Sequence, residues 1–189
     1  MLNFIKQFIS NPQEVGAIFP TGNILSKVIV ETANLKDTKS IVEFGPGTGV
    51  FTREILNKIN PNSIFFTIES NLDFFQKMKK DFSNTTTYHD SAVSIRKYLD
   101  ENNIKACDRI ISGLPWAAFG EKLQTEILQK AYLSLSPNGI FVTFSYIHSP
   151  LLPSGIKFKK LLEKTFKKVE KSNIVWKNLP PAFVYKCTK

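Results

Sequence analysis

Residues 41–49 read Ile41-Val42-Glu43-Phe44-Gly45-Pro46-Gly47-Thr48-Gly49. An apolar run suited to a strand breaks into glycines and a proline, with the carboxylate of Glu43 just ahead of the break. Glycine has no Cβ, so the backbone can turn sharply there and come close to a ligand. A strand, a glycine-rich turn and a helix beginning near Gly49 form a βα unit. In open α/β sheets the crevice at the carboxyl end of such a strand is where ligands bind. The spacing G-x-G-x-G departs from the dinucleotide fingerprint G-x-G-x-x-G and lacks the Gly-Lys-Ser/Thr of a phosphate loop. Taken alone, the turn fits either a ligand cradle or a plain tight connection.

Outward from this stretch the chain alternates short apolar strands with helical patterns. Strands are expected over residues 40–44, 63–69, 85–89, 108–112 and 140–146, and helices over 50–59, 72–82, 92–102 and 122–135. Pro137-Asn138-Gly139 reads as the turn that ends the last of these helices. Near-continuous apolar strands alternating with helices predict a parallel sheet covered on both faces. The rhythm then changes: a basic helix over 156–166, followed by strand-like segments at 169–176 and 182–187 across a short linker. These two predict an antiparallel hairpin at the sheet edge.

The predicted strand ends carry the candidate chemistry. The second strand ends in Glu69, followed by Ser70 and Asn71. A carboxylate at that tip can grip a ribose diol or simply favour a helix N-terminus. The third ends His89-Asp90-Ser91, able to face an adenine ring or to cap a helix. The fourth runs into Gly113-Leu114-Pro115-Trp116, a rigid apolar loop whose Trp can face a cation or lie buried. The fifth ends near Tyr146 and His148, which read either as groups that orient a substrate and accept its proton or as packing residues.

Composition narrows the classes. With 189 residues and 42% hydrophobic content, the chain suits one domain with a real core. No apolar run reaches the roughly 18 residues of a membrane-spanning helix, and the first residues show no secretory pattern. Cys107 and Cys187 are too far apart in sequence for metal-ligand spacing and too few for a disulfide framework, which points to a reducing, cytoplasmic setting. The net charge of +9 is uneven: residues 151–189 hold ten Lys against Glu163 and Glu170, a net of +8, and the rest is almost neutral. Such a patch suits a polyanion, either nucleic acid or an anionic membrane, or merely a solvated face. Residues 2–9 place Leu2, Ile5, Phe8 and Ile9 on one helical face opposite Asn3, Lys6 and Gln7, a pattern of either an interfacial anchor or a lid on the core.

The segments Val42–Thr52, Glu69, His89–Ala92 and Ser112–Trp116, in this order, resemble the S-adenosylmethionine-dependent methyltransferases of the Rossmann-like class. The resemblance covers most of the chain. More specifically, residues 11–22 (NPQEVGAIFPTG), 112–116 (SGLPW), 144–150 (FSYIHSP) and 175–185 (VWKNLPPAFVY) resemble the bacterial phospholipid N-methyltransferases. The ribosomal-RNA adenine dimethyltransferases are similar in the core. They usually begin the loop after the fourth strand with an Asn that helps hold adenine N6; this chain has Gly113, which counts against a nucleobase substrate.

The resemblance implies an α/β Rossmann-like seven-stranded sheet, mostly parallel, with an antiparallel C-terminal edge hairpin and helices on both faces. It implies residues 1–36 as an amphipathic helix and a cofactor-covering segment, with Phe19-Pro20-Thr21 over the cofactor, and residues 37–189 as the methyltransferase domain. S-adenosyl-L-methionine is then the cofactor, held by Glu43, Phe44, Gly45, Pro46, Gly47, Thr48, Gly49, Glu69, Ser70, Asp90, Ser91 and Gly113. Glu43 is expected to meet its ammonium, directly or through water. Leu114, Pro115, Trp116 and Tyr146 are expected at the substrate, with Tyr146 and His148 as the groups nearest the chemistry; no metal is implied. The implied reaction is N-methylation of a phosphatidylethanolamine-like head group by a cytoplasmic, peripherally membrane-associated enzyme. The N-terminal helix and the Lys-rich C-terminal region would provide the membrane contact. An RNA adenine methyltransferase, a methyltransferase of small amphiphilic amines, and a non-catalytic cofactor- or membrane-binding protein are the alternatives.

Overall fold

A computed structural model describes residues 22–189. The expected amphipathic helix over residues 2–9 and the covering segment Phe19–Thr21 lie outside the described residues. Six helices follow one another in the described chain: α1 (Gly22–Ala33), α2 (Val50–Leu56), α3 (Leu72–Asp81), α4 (Ile95–Glu101), α5 (Glu121–Ser134) and α6 (Pro153–Thr165). The strands are β1 (Ser40–Phe44), β2 (Ile64–Glu69), β3 (Thr86–His89), β4 (Cys107–Ser112), β5 (Leu135–Tyr146), β6 (Lys168–Lys171) and β7 (Ala182–Thr188).

They form one seven-stranded sheet in the order β3-β2-β1-β4-β5-β7-β6. The pairs from β3 through β5 are parallel, while β7 runs antiparallel to both β5 and β6. This is the Rossmann-like arrangement the strand–helix rhythm predicts. The chain builds outward from β1 to β3, then crosses back to place β4 on the other side of β1. The strand order therefore reverses between β1 and β4, and the crevice of such a sheet opens at the carboxyl ends of those two strands.

Side chains alternate between the sheet's faces with the period of two that a strand imposes. Ile41, Ile111, Val142 and Val184 join α1 residues Leu25, Ile29 and Ala33 and α2 residue Ile55 in one cluster. Val42, Ile110, Phe141 and Tyr185 join residues of α4, α5 and α6 in the other. Ile29, Ile41, Ile111 and Val142 show 0% exposure, and burying each such side chain is worth about 1.5–3 kcal/mol.

Local chemistry explains the element ends. Asn71 caps α3 by accepting the Phe74 amide at 3.0 Å, and Ser91 caps the 3-10 turn over Ala92–Ser94 by accepting the Val93 amide at 3.3 Å. Pro153 opens α6, where a missing N–H costs nothing.

Two expectations need correction. Pro137-Asn138-Gly139 does not precede the fifth strand but bulges from it. Leu135 already pairs with Cys107, the register then shifts to Arg109 opposite Ile140, and Asn138 takes a left-handed φ of 60°. The segment 169–176 is not one strand: β6 stops at Lys171, and Val175 returns for an isolated bridge to Ala182. The amide of Ser172 still donates to the Val184 carbonyl and its hydroxyl accepts the Val184 amide, so side-chain pairing replaces the ladder there.

Candidate functional site

The glycine turn follows β1 at the point where the strand order reverses. Gly45, Gly47 and Gly49 take φ values of 62°, 55° and 81°, in the left-handed region that disfavours a side chain. The amide of Gly45 donates to the Ile68 carbonyl at 2.9 Å, and Gly49 turns back on the Pro46 carbonyl at 2.9 Å. A Cβ on Gly49 would overlap the Phe82 ring, whereas one on Gly47 would meet nothing within 4 Å among the described residues. Gly49 is demanded by packing; Gly47 leaves open space there. Gly49→Ala is therefore expected to cost about 2–4 kcal/mol of stability through combined strain and overlap. Gly47→Ala should cost only about 1 kcal/mol while weakening cofactor binding by about tenfold or more, because its methyl enters the cradle. Thermal melts and titration calorimetry on the two variants check that contrast.

Two acids lie beneath this turn. Glu69, 5% exposed, accepts the Gly47 amide on Oε2 at 3.1 Å and the Asn71 amide on Oε1 at 2.8 Å. The carboxylate thus ties the tip of β2 to the glycine turn, and each oxygen keeps a lone pair for a ligand hydroxyl. Burial pushes its pKa up against those hydrogen bonds. Glu43, 0% exposed, accepts the Thr52 hydroxyl on Oε2 at 2.7 Å, while Oε1 has no hydrogen-bond partner among the described residues. Desolvation pushes its pKa up to about 8, the Thr52 hydrogen bond opposing. An orphaned carboxylate oxygen beside an open glycine cradle is what a cationic ligand group would complete.

The remaining strand ends complete the crevice. Asp90 accepts the Tyr98 hydroxyl on Oδ2 at 2.7 Å and the Ser91 amide on Oδ1 at 2.6 Å. The Tyr98 bond holds its pKa below the ordinary carboxylate range. The carbonyl of Ser70 lies 3.2 Å from His89 Nε2, and His89 stacks on Phe75. Gly113 donates to the Phe44 carbonyl at 2.8 Å. A Cβ there would lie 2.6 Å from the Gly45 carbonyl oxygen, so the loops after β1 and β4 touch backbone to backbone.

Beyond Gly113 a cavity of about 110 Å³ opens, lined by Leu114, Pro115, Trp116, Tyr146 and Phe158, among others. Tyr146 stacks on His148 with the rings 6° from parallel and 5.7 Å apart, and burial raises the Tyr146 pKa. A larger hollow of about 370 Å³ lies at the opposite end of the sheet, against Thr38, Lys39, Asp108 and Arg109. Its groups are already paired: Asp108 accepts the Lys39 amide at 2.8 Å, and Arg109 donates to the Ala33 carbonyl at 2.6 Å. That hollow is a clasp between α1 and the sheet, far from the glycine turn.

The structure brings Glu43, Pro46, Gly47, Thr48, Glu69, Asp90 and Gly113 to one end of adjacent strands. Two of the expected residues differ in posture. The Phe44 side chain points away into the core with 0% exposure, so only its backbone belongs to the crevice. Trp116 does not stand at the mouth facing a cation. It is 4% exposed, donates from Nε1 to Thr143 Oγ1 at 2.9 Å and stacks on Phe158, which makes it a cavity wall. Sequence reasoning missed Thr52, Tyr98, Gln124 and Phe158. Gln124 donates to the Trp116 and Phe119 carbonyls at 2.7 and 3.0 Å and pins the loop after β4. Thr52, Tyr98 and Gln124 stand only nine, eight and eight residues from the groups they bond, but which helical side chain turns back to the strand end is settled by packing; Phe158 comes from the distant α6.

A family model described as ribosomal RNA adenine dimethylase matches residues 12–142. The chain belongs to the ribosomal RNA adenine dimethylase family. It is an S-adenosylmethionine-dependent methyltransferase. An ornithine lipid N-methyltransferase of Singulisphaera acidiphila is 24% identical over 189 residues, covering 97% of this chain and 93% of that enzyme. A ribosomal RNA small subunit methyltransferase A of Clostridium acetobutylicum is 29% identical over 107 residues, which span 55% of this chain and 37% of that protein. An O-methyltransferase of Bacillus cereus, solved in complex with SAH, shares the fold with a TM-score of 0.65 at 12% identity, over 90% of this chain and 81% of that one. The dimethylase-family match takes in the glycine turn and the acids, and ends inside β5. The Tyr146 end of that strand, α6 and the C-terminal hairpin lie beyond it, within the reach of the lipid enzyme's alignment.

Proposed function

We propose that this methyltransferase acts on the amine of a lipid head group at an anionic membrane surface. The observation that carries this reading is Gly113. The rRNA adenine dimethyltransferases that the sequence resembles usually place an Asn amide here, and this backbone leaves no room even for a Cβ beside the Gly45 carbonyl. Next to it stands a cavity walled by Leu114, Pro115, Trp116 and Phe158, suited to a small methylated amine group. The lipid N-methyltransferase similarity supports the same reading, because it runs through the C-terminal segments that build this cavity.

In this reading the residues divide the work. The open cradle at Gly47 takes the cofactor backbone, Glu69 holds ribose hydroxyls, Asp90 and Ser91 face adenine, and the orphaned Oε1 of Glu43 meets the ammonium. When bound, S-adenosylmethionine supplies an electrophilic methyl group that a neutral amine can take up. The apolar walls exclude water and position the amine, which are the main contributions such a transfer needs from a protein. The Tyr146 hydroxyl, kept protonated by burial, orients the head group by donating a hydrogen bond. In this reading His148, stacked on Tyr146 just outside the residues that line the cavity, takes the proton that an ammonium must lose before it can react. Among the described residues no helix is long and apolar enough to cross a membrane.

The family match and the small-subunit methyltransferase relatives favour a second reading, RNA adenine methylation. Incubation with methyl-labelled S-adenosylmethionine and either a total lipid extract or total RNA separates the two. Label in the lipid fraction is expected. Label confined to RNA would overturn the lipid reading, and label in neither would point to small amphiphilic amines or to loss of catalysis.

A further inference from the structure

The carboxyl end of the sheet carries an apolar rim that the core does not use. Leu151 is 81% exposed, Trp176 65% and Leu179 58%. Leu151 belongs to the 3-10 turn Ser149–Leu151 just after β5; Trp176 and Leu179 belong to the loop between β6 and β7. Both segments leave the sheet at the same place. Tyr146 pairs with Ala182, and the Ile147 amide donates to the Pro181 carbonyl at 3.0 Å. That place is the mouth of the cavity, because Ser149, Ser154 and Gly155 line it with Tyr146.

The two segments that form the rim carry charge of one sign, and acids reach their lysines only from outside them, Glu121 to Lys157 and Glu163 to Lys159. Neither residues 146–162 nor residues 171–181 contain an Asp or Glu, and they supply Lys157, Lys159, Lys160, Lys171 and Lys177. Lys157, Lys160, Lys171 and Lys177 are exposed. Lys157 meets Glu121 at 3.4 Å with both side chains about 70% exposed, a contact that salt and water weaken. Lys171 lies over the Phe183 and Tyr185 rings. Exposed Trp and Leu beside lysines with no intervening acid match the interfacial layer of an anionic bilayer, where indole sits at head-group depth and ammonium groups meet phosphates. A polyanion such as RNA would satisfy the lysines but leave the two leucines in water.

We propose that the enzyme docks edge-on to an anionic bilayer through this rim, with Leu151, Trp176 and Leu179 entering the interface. The cavity mouth then faces the head groups, and a lipid amine reaches the site while its acyl chains stay in the bilayer. The proposal rests on the lipid reading and adds to it an orientation and a contact surface.

The full chain supplies its own reporter. It has two tryptophans, Trp116 at 4% exposure and Trp176 at 65%. With vesicles of phosphatidylcholine and phosphatidylglycerol whose acyl chains carry bromine, Trp emission is expected to shift blue and be quenched, and Trp176→Phe should remove most of the quenching. A Leu151→Ser, Trp176→Ser, Leu179→Ser triple variant should bind such vesicles about tenfold or more weakly than the natural chain. Leu133→Ser is the control: Leu133 is 70% exposed but sits at the end of α5, beside the start of β5 and so at the opposite end of the sheet, and its change should leave binding intact. A triple variant that folds and binds vesicles as the natural chain does would overturn the proposal. So would binding lost only on removal of residues 1–10, or apolar contact explained by concentration-dependent self-association. Methyl transfer to detergent-dispersed lipid distinguishes the two failures. If that activity persists while the rim variant binds normally, only the docking geometry is wrong; if it is absent and RNA is labelled, the lipid reading itself fails.

Discussion

A Glu69→Ala chain is expected to bind S-adenosylmethionine about 100-fold or more weakly than the natural one. In the folded chain this carboxylate has two tasks. It accepts the amides of Gly47 and Asn71, fixing the glycine turn against β2, and in the proposed reading its remaining lone pairs accept the ribose hydroxyls. Hydrogen bonds from hydroxyls to a carboxylate are worth about 1.5–3 kcal/mol each, so losing two of them accounts for the expected drop before any loosening of the turn is counted. The fold should survive, because β2 keeps its backbone ladders to β1 and β3 and the freed amides lie beside a crevice that water can enter. Calorimetric titration with the cofactor gives the affinity, and a thermal melt confirms that the variant is folded. Unchanged affinity in a folded variant would remove Glu69 from the site.

Glu43→Gln should move stability and binding in opposite directions. The Glu43 pKa in the fold is about 8 against an ordinary 4.5. The folded chain therefore keeps a proton that the unfolded chain releases. Stability falls as pH rises through the window from 4.5 to 8, and the full penalty is present above it. At about 1.4 kcal/mol per pH unit for one proton, that penalty is on the order of a few kcal/mol. Gln cannot ionise, yet its carbonyl can still accept the Thr52 hydroxyl. The variant should match the natural chain near pH 5 and exceed its stability above pH 8, a gain visible as a higher Tm. Its affinity for the cofactor should fall by about tenfold or more above pH 8, where the natural Glu43 is a carboxylate that pairs with an ammonium more strongly than an amide oxygen does; near pH 5, where Glu43 keeps its proton, the two chains should bind alike. Denaturation curves and cofactor titrations at both pH values check the two halves. A variant no more stable at high pH would show that Glu43 is not held in its uncharged form.

How far the sequence reaches can be judged from particular residues. β1, β2 and β4 were legible because strands buried in the middle of a parallel sheet read as short apolar runs, and the edge strand β3, half exposed and polar, because it runs into an acid and a capping serine. The convergence of Glu43, Glu69, Asp90 and Gly113 followed from the topology: once successive parallel strands share a sheet, their carboxyl ends share a crevice. What failed was decided across the sheet. Phe44 turned inward because a large aromatic ring gains more from the core than from a crevice wall facing water, and of the two postures open to Trp116 the buried one holds, which makes it a cavity wall. β6 ended early because an edge strand has only one neighbour to hold it. The Pro137–Gly139 bulge could not be told from a turn that ends a helix, since both use the same residues. The partners that tune the acids, Thr52 for Glu43 and Tyr98 for Asp90, and the cavity wall Phe158 come from helices whose placement no local pattern encodes.

The lipid reading concentrates in one observable, the atom that receives the methyl group. After reaction of the full chain with S-adenosylmethionine and a defined aminolipid in anionic vesicles, fragment-ion mass spectrometry of the recovered lipid locates the new methyl. The lipid reading predicts a methyl on the head-group nitrogen, with total RNA in a parallel reaction left unmodified. A lipid that returns unchanged while adenine in the RNA gains the methyl would contradict it.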